Sequence, residues 1–142
     1  METPAVAALP PELTPVDLVV GPDAVARYAD LTGDYNPIHL DADFAATTPF
    51  GAPIIHGTLG LNLLMSALDR TFGGMPDGAT VEVRFTRPVP VGTAIRAGGR
   101  LGEADGCTYE VFVETVAGER VVEGVCTIPP DTNQNITGRN AP

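Results

Sequence analysis

The chain has 142 residues, of which 44% are hydrophobic, and this length is sufficient for one buried core in a single domain. Its 8 basic and 18 acidic residues give a formal net charge of −10, which argues against nucleic acid as a partner. All of the basic residues are arginines, so a Schiff-base lysine and a phosphate-loop lysine are excluded.

Both ends of the chain are predicted to lie outside the folded domain. Residues 1–15 hold four prolines without hydrophobic periodicity and predict an irregular N-terminal arm. Residues 129–142 contain almost no apolar residue and predict a flexible polar tail, which leaves 16–128 as the domain. Because the arm lacks a basic residue and a long apolar stretch, we expect no signal peptide.

The cysteine content and the longest apolar stretch bear on the location of the protein. Two cysteines, Cys107 and Cys126, are too few for a disulfide scaffold and favour a reducing, cytoplasmic compartment, with both as buried free thiols. The longest mostly apolar stretch, residues 59–68, is about half of what a bilayer crossing needs. It therefore predicts a buried helix and no membrane association.

Residues 16–72 are predicted to be helical or looped. A Gly-Pro-Asp step at residues 21–23 begins one short helix, which Gly33 ends. A second short helix extends from a cap at Asp41 to Thr47. Residues 57–72 form the one long helix, which is apolar around most of its circumference and must be enclosed by other elements. The side of the first helix that faces the core is predicted to consist of Val25, Tyr28, Ala29 and Thr32.

The second half of the chain is predicted to be a sheet. Strands are expected at residues 81–86, 94–101, 107–116 and 120–128. The short turn at residues 117–119 predicts a hairpin that places Cys107 diagonal to Cys126. Because no helices separate these strands, the pattern predicts an α+β fold, with a mainly antiparallel sheet curled around the long helix.

The segment from residue 28 to residue 60 contains both histidines of the chain, His39 and His56. Within it, Asp34-Tyr35-Asn36-Pro37-Ile38-His39 predicts a rigid turn, because Pro37 fixes its own φ and restricts Asn36. A carboxylate and an imidazole presented together can accept and return a proton near neutral pH, as activation of water requires. The residues fit a purely structural turn as well, with Asp34 and Asn36 as turn or cap residues.

A second candidate feature is the start of the long helix, at His56-Gly57-Thr58. The first N–H groups of a helix have no partner within it, and Gly57 lets a ligand approach the backbone closely. A carbonyl oxygen held there is stabilised as negative charge develops on it, as in an oxyanion hole. The alternative is that Gly57 only allows tight packing at the helix entry.

These motifs together resemble those of the MaoC-like hydratases, the group that contains the (R)-specific enoyl-CoA hydratases. The resemblance is carried by D-x-N-P-x-H at residues 34–39, the acidic stretch at 41–45 and I-I-H-G at 54–57. It is close over residues 28–68 and looser over 81–92. It implies a single hotdog domain, in which an antiparallel β-sheet is wrapped around a long central apolar helix, and a lyase of fatty acid metabolism.

The resemblance also implies roles for individual residues. Asp34 is the principal base, and His39 positions the water that adds to a trans-2-enoyl thioester and manages its proton. The backbone N–H of Gly57 is the oxyanion donor, while Asn36 and His56 have supporting roles. No metal and no redox cofactor is required by this chemistry.

Substrate contacts and partners are less sharply indicated. Leu61, Leu64 and Met65 line an acyl tunnel or simply fill the core. Arg84 and Arg87 bind the phosphates of coenzyme A, contact an acyl-carrier protein, or occupy an exposed sheet face. The resemblance implies a homodimer, with a heteromer as the alternative. The alternative functions are a carrier-protein-linked dehydratase, a non-catalytic acyl-thioester binding subunit and a thioesterase, because one fold hosts several chemistries.

Overall fold

One antiparallel sheet and one long helix form the framework of residues 8–130, the part of the chain that the computed structural model describes. The elements in chain order are β1 (Val16–Val19), α1 (Pro22–Thr32), α2 (Pro37–Leu40), α3 (Ala42–Ala46), α4 (Gly57–Phe72), β2 (Thr80–Phe85), β3 (Ala94–Leu101), β4 (Thr108–Thr115) and β5 (Arg120–Thr127). The strand order is β1-β3-β4-β5-β2, with every neighbouring pair antiparallel. The predicted α+β fold with an antiparallel sheet around the central helix is confirmed.

The core lies between α4 and one face of the sheet. Successive residues of a strand point to opposite faces, so every second residue of the central strands meets the helix. Fully burying one such aliphatic side chain contributes about 1.5–3 kcal/mol. The buried residues of the helix are Gly60, Leu63, Leu64, Ala67 and Leu68. Those of the facing strands include Ile95, Ala97, Val111, Val113 and Val122.

The hairpin of β4 and β5 has the predicted register, since Tyr109 pairs with Cys126. Cys107 is therefore diagonal to Cys126, and both thiols are free. Burial raises the pKa of the Cys126 thiol to about 11. Cys107 is only partly buried, because it precedes the first residue of β4 and belongs to the turn. The expectation of two buried thiols is therefore wrong for this residue.

Two local expectations need correction, and the predicted turn gains detail. The first half is not only helical or looped, because Val16–Val19 forms β1 and pairs with β3 along one edge. The turn at residues 34–39 includes the one-turn helix α2, which Asn36 caps by accepting a hydrogen bond from the N–H of Ile38. Thr32 is exposed rather than buried: it is the last residue of α1, and its hydroxyl donates to the carbonyl of Tyr28 on its own helix.

Residues 1–7 of the predicted arm and residues 131–142 of the predicted tail lie outside the described residues. Residues 8–15 form no helix, yet they pack on the sheet: Leu13 is buried, and Tyr109 donates to the carbonyl of Pro10. The division at residues 15 and 128 stays a prediction. Within residues 8–130, no helix combines the length and the apolar character needed to span a membrane.

Candidate active site

Three short elements and the start of α4 bring the predicted site residues together. Gly33 ends α1 in the left-handed conformation, with φ at 74°, and the chain reverses there into the loop that carries Asp34. Pro37 occupies the first turn of α2, which carries His39. His56 is the N-cap residue of α4, and Gly57 is its first residue. Local turn chemistry therefore positions Asp34 and His39, while the packing of the start of α4 brings His56 beside the loop of Asp34.

The ring of His39 has a defined orientation. Its Nδ1 lies 2.8 Å from the carbonyl oxygen of Ile54, and a carbonyl only accepts, so Nδ1 carries the proton. In the neutral ring, Nε2 then presents a lone pair. This atom lies 3.9 Å from Oδ2 of Asp34, which is too far for a direct hydrogen bond and suits a bridging water. The side chain of His39 is 10% exposed and that of Asp34 is 51% exposed.

His56 lies beneath this pair. It is 2% exposed, and its ring stacks on that of His39 with centroids 3.9 Å apart and an interplanar angle of 23°. Its Nε2 lies 3.0 Å from the main-chain carbonyl oxygen of Asp34. Its Nδ1 is buried without a hydrogen-bond partner among the described residues. The ring thus connects the loop of Asp34 to the start of α4.

A second layer of polar groups joins α1 to α4, and sequence reasoning missed it. The amide of Asn62 donates to the hydroxyl of Tyr28 over 2.9 Å, and that hydroxyl lies 2.8 Å from Oγ1 of Thr58. The ring of Tyr28 meets that of His56 edge-on at 5.0 Å. The one signal in the sequence is the polar pair Thr58 and Asn62, four residues apart on the otherwise apolar first half of the helix, residues 57–65.

A cavity of about 300 Å³ begins beside His39 and extends between α4 and the sheet. Both His39 and Gly57 line it, so the cavity reaches the imidazole and the start of the helix. A volume of this size with a mostly apolar lining is typical of a small-molecule site. The apolar lining includes Phe50, Ile55, Gly60, Phe85, Val89 and Val122.

The five predicted substrate contacts are not gathered together. Of the five, only Arg87 lines the cavity in the described part of the chain. Its guanidinium lies 3.9 Å from the carboxylate of Glu119. Arg84 is exposed and pairs with Glu123 over 2.8 Å. Leu64 is fully buried in the core, whereas Leu61 and Met65 are half-buried on the helix. Substrate contact by any of the five stays a prediction.

Asp34, His39 and His56 are close enough for a shared metal ion by distance alone, since one ligand atom of each lies within 4.8 Å of the others. Their geometry does not fit one. The lone pairs of an imidazole lie in the ring plane, and the two stacked rings direct theirs along nearly parallel planes rather than to one point. One nitrogen of each ring is also bonded to a carbonyl. The absence of a metal or redox cofactor stays a prediction.

The sheet, the central helix and the acid and imidazole at the helix entry define a hotdog-fold protein with a site suited to proton transfer. The chain belongs to the MaoC-like family, because the model of the MaoC like domain matches residues 6–122.

Individual relatives agree with this membership. The chain is 36% identical over 107 residues to 3-hydroxyacyl-thioester dehydratase Z of Mycobacterium tuberculosis, covering 72% of this chain and 71% of that protein. It is 40% identical over 80 residues to an (R)-specific enoyl-CoA hydratase of Aeromonas caviae, covering 54% of this chain and 58% of that protein. The solved structure of the (R)-hydratase from A. caviae involved in PHA biosynthesis superposes with a TM-score of 0.70 at 29% identity, covering 89% of this chain and 100% of that one. The expected hydratase or dehydratase, an enzyme of the hydro-lyase class, is confirmed.

Proposed function

We propose that the chain adds water across the double bond of trans-2-enoyl thioesters to give the (R)-3-hydroxyacyl thioester, and catalyses the reverse dehydration. The observation that carries this proposal is the pair of acceptor atoms 3.9 Å apart, Nε2 of His39 and Oδ2 of Asp34, beside an apolar cavity that reaches Gly57. The names of the relatives support both the reaction and the R configuration.

The two acceptors suit a single water molecule. A water donates two hydrogen bonds, one to the Asp34 carboxylate and one to Nε2 of neutral His39, and its oxygen lone pair then faces the substrate. In this proposal the oxygen bonds to C3 of the enoyl group as Asp34 takes a proton, and electron density moves to the thioester oxygen. That proton is returned to C2, so one molecule of water is consumed and no co-reactant is needed.

The negative charge on the thioester oxygen needs a donor. Gly57 is the first residue of α4, so its N–H has no acceptor within that helix, and the residue lines the cavity. We assign it as the oxyanion donor, with the positive end of the helix dipole adding to the stabilisation. A Cβ on this residue would lie in ordinary contact with the ring of Phe85, at 3.4 Å, and glycine leaves that space beside the cavity open.

The lining of the cavity supports an acyl group rather than a polar substrate. Its walls are mostly aliphatic and aromatic, while Arg87 lies among its lining residues and is 60% exposed. We assign Arg87 to the phosphate-bearing arm of the thioester, either coenzyme A or the pantetheine of an acyl-carrier protein. The supporting role of Asn36 is the cap on α2, which holds the helix that carries His39.

We further propose that the protein is a cytoplasmic homodimer. Strand β2 is an edge of the sheet, and its Phe85, which lines the cavity, is 53% exposed. A second copy packed along this edge covers that ring; a heteromer is the alternative. The two free cysteines support a reducing compartment. Sedimentation equilibrium of the purified chain distinguishes a dimer from a monomer that requires a different subunit.

The first experiment mixes the protein with crotonyl-CoA and follows the loss of the enoyl-thioester absorbance, with the chirality of the product resolved. We expect (R)-3-hydroxybutyryl-CoA. Release of free coenzyme A without a hydroxyacyl product would contradict hydration and favour a thioesterase. If the enoyl thioesters of coenzyme A and of a carrier protein both bind but neither is turned over, a non-catalytic subunit is favoured.

A further inference from the structure

We propose that His56 is a positioning residue that holds the base, Asp34, in place through a hydrogen bond from its Nε2–H to the main-chain carbonyl of Asp34. The inference rests on the function proposed above, in which Asp34 takes the proton of the water. It gives His56 a task that neither packing nor proton transfer describes.

The first argument is that Asp34 has no other hydrogen bond to a distant element among the described residues. Its N–H bonds to Oγ1 of Thr32, the last residue of α1, and its carboxylate accepts from the N–H of Asn36, so both partners lie only two residues away along the chain. Those bonds shape the loop but do not place it relative to α4. The bond from His56 spans 22 residues and does so.

The second argument comes from what His56 is attached to. It is the N-cap residue of α4, and the next residue is Gly57, the proposed oxyanion donor. The backbone of His56 therefore fixes the position of the oxyanion donor, while its ring fixes the position of the base. Hydration requires these two groups to hold opposite parts of one substrate at a defined separation, and one buried imidazole fixes that separation.

The third argument is chemical. With the proton on Nε2, Nδ1 is an acceptor, and it is buried without a hydrogen-bond partner among the described residues. An unbonded buried acceptor opposes folding, and a leucine or phenylalanine would fill the same space without one. The hydrogen bond to Asp34 accounts for a histidine here, because it is the polar contact that the ring makes.

The arrangement requires opposite tautomers of two stacked rings, with the proton on Nδ1 of His39 and on Nε2 of His56. These are the only two histidines of the chain, so nitrogen-15 NMR of the imidazoles can assign both without overlap. We expect the two opposite tautomers in the free protein. A proton on Nδ1 of His56 would overturn the proposal, since Nε2 would then have none to donate.

Two amide variants test the same bond through catalysis. In His56→Gln the side-chain nitrogen can reach the place of Nε2, whereas in His56→Asn it reaches only the place of Nδ1. Both lose the ring and its stacking, so their stability should fall alike. We expect the Asn variant to lose about 100-fold in kcat, the Gln variant less than about tenfold, and KM for crotonyl-CoA to change little in either. Equal kcat values for the two would overturn the proposal.

A third variant guards against misfolding of the first two. His56→Phe keeps a ring against His39 and Tyr28 but has no donor, so kcat should fall about as far as in the Asn variant while the melting temperature stays near that of the wild type. An unchanged kcat would overturn the proposal. The tautomer measurement needs no substrate, so its result is independent of activity. A wild-type protein that fails to hydrate any enoyl thioester would contradict the proposed function, and the hydrogen bond of His56 would still be judged from the tautomers.

Discussion

Polar side chains are held in different ways at the start of α4 and on the outer face of the sheet, which points away from that helix. At the site, His39, His56 and Tyr28 are largely buried, and their hydrogen bonds join different elements. On the outer face, charges pair along the strand register: Arg96 with Asp17 over 2.6 Å, and Arg84 with Glu123 over 2.8 Å.

The difference shows what each set of groups contributes. The Arg96 guanidinium lowers the pKa of the Asp17 carboxyl, yet both groups are exposed, and solvent screening leaves such pairs little effect on stability. The buried groups at the site cannot relax into water when a partner is lost, so their geometry is fixed more tightly. Substitutions in the two regions should therefore differ in size and in kind.

The largest effect is expected from Asp34→Asn. An amide keeps the size of the side chain and can still accept a hydrogen bond from the N–H of Asn36, but it cannot take a proton from water. We expect kcat to fall by about 10³-fold or more with stability within about 0.5 kcal/mol of the wild type, measured by crotonyl-CoA turnover and chemical unfolding. A loss of less than tenfold would show that Asp34 is not the base.

A loss of stability, rather than of activity, is expected when the packing of strand β2 is disturbed. This strand carries Phe85 to the cavity and Arg84 to the outer face. A Cβ on Gly124 of β5 would collide with the carbonyl oxygen of Glu82 and lie 2.7 Å from Cα of Val83. We expect Gly124→Ala to lower the free energy of unfolding by about 1–3 kcal/mol, measured by urea denaturation.

The matched control for this prediction is Gly60→Ala. Its Cβ would lie 3.4 Å from Val122, an ordinary contact, and alanine favours the helix interior by about 1 kcal/mol. The control should be neutral or more stable. Equal losses of stability in the two variants would show that the close approach of β2 to β5 does not depend on Gly124.

The sequence predicted the features that depend on neighbouring residues. The bounds of α4 and the register of β4 on β5 follow from periodicity, glycine positions and turn length, and both were correct. The four-residue strand β1 was missed because its pairing with β3 is a contact between distant parts of the chain. The His39 and His56 stack and the bond from Asn62 to Tyr28 join residues 17 and 34 positions apart, so no local pattern shows which residues become partners.

A smaller effect is expected from two arginines that the sequence did not distinguish. Arg87 lines the cavity, whereas Arg84 lies on the outer face with Glu123. Arg87→Ala should raise KM for crotonyl-CoA about three- to tenfold, the loss of one exposed charge contact, with kcat nearly unchanged. Arg84→Ala is the matched control and should leave KM unchanged. Equal effects of both variants would mean that general electrostatic attraction, rather than a contact at the cavity, draws in the anionic substrate.

The smallest effect concerns acid stability at the turn between β3 and β4. Hydrogen bonds from the N–H of Cys107 and from Thr108 lower the pKa of the Asp105 carboxyl from 3.8 to about 2. A carboxyl with a lower pKa in the folded state stabilises the fold above its unfolded pKa, and this contribution is lost as pH falls from about 4 towards 2. We therefore expect wild-type stability to exceed that of Asp105→Ala at pH 6 and to approach it near pH 2. Because the group is exposed, the gap should be small and kcat unaffected. A gap that stays constant between these pH values would show that the carboxylate charge contributes nothing to the turn.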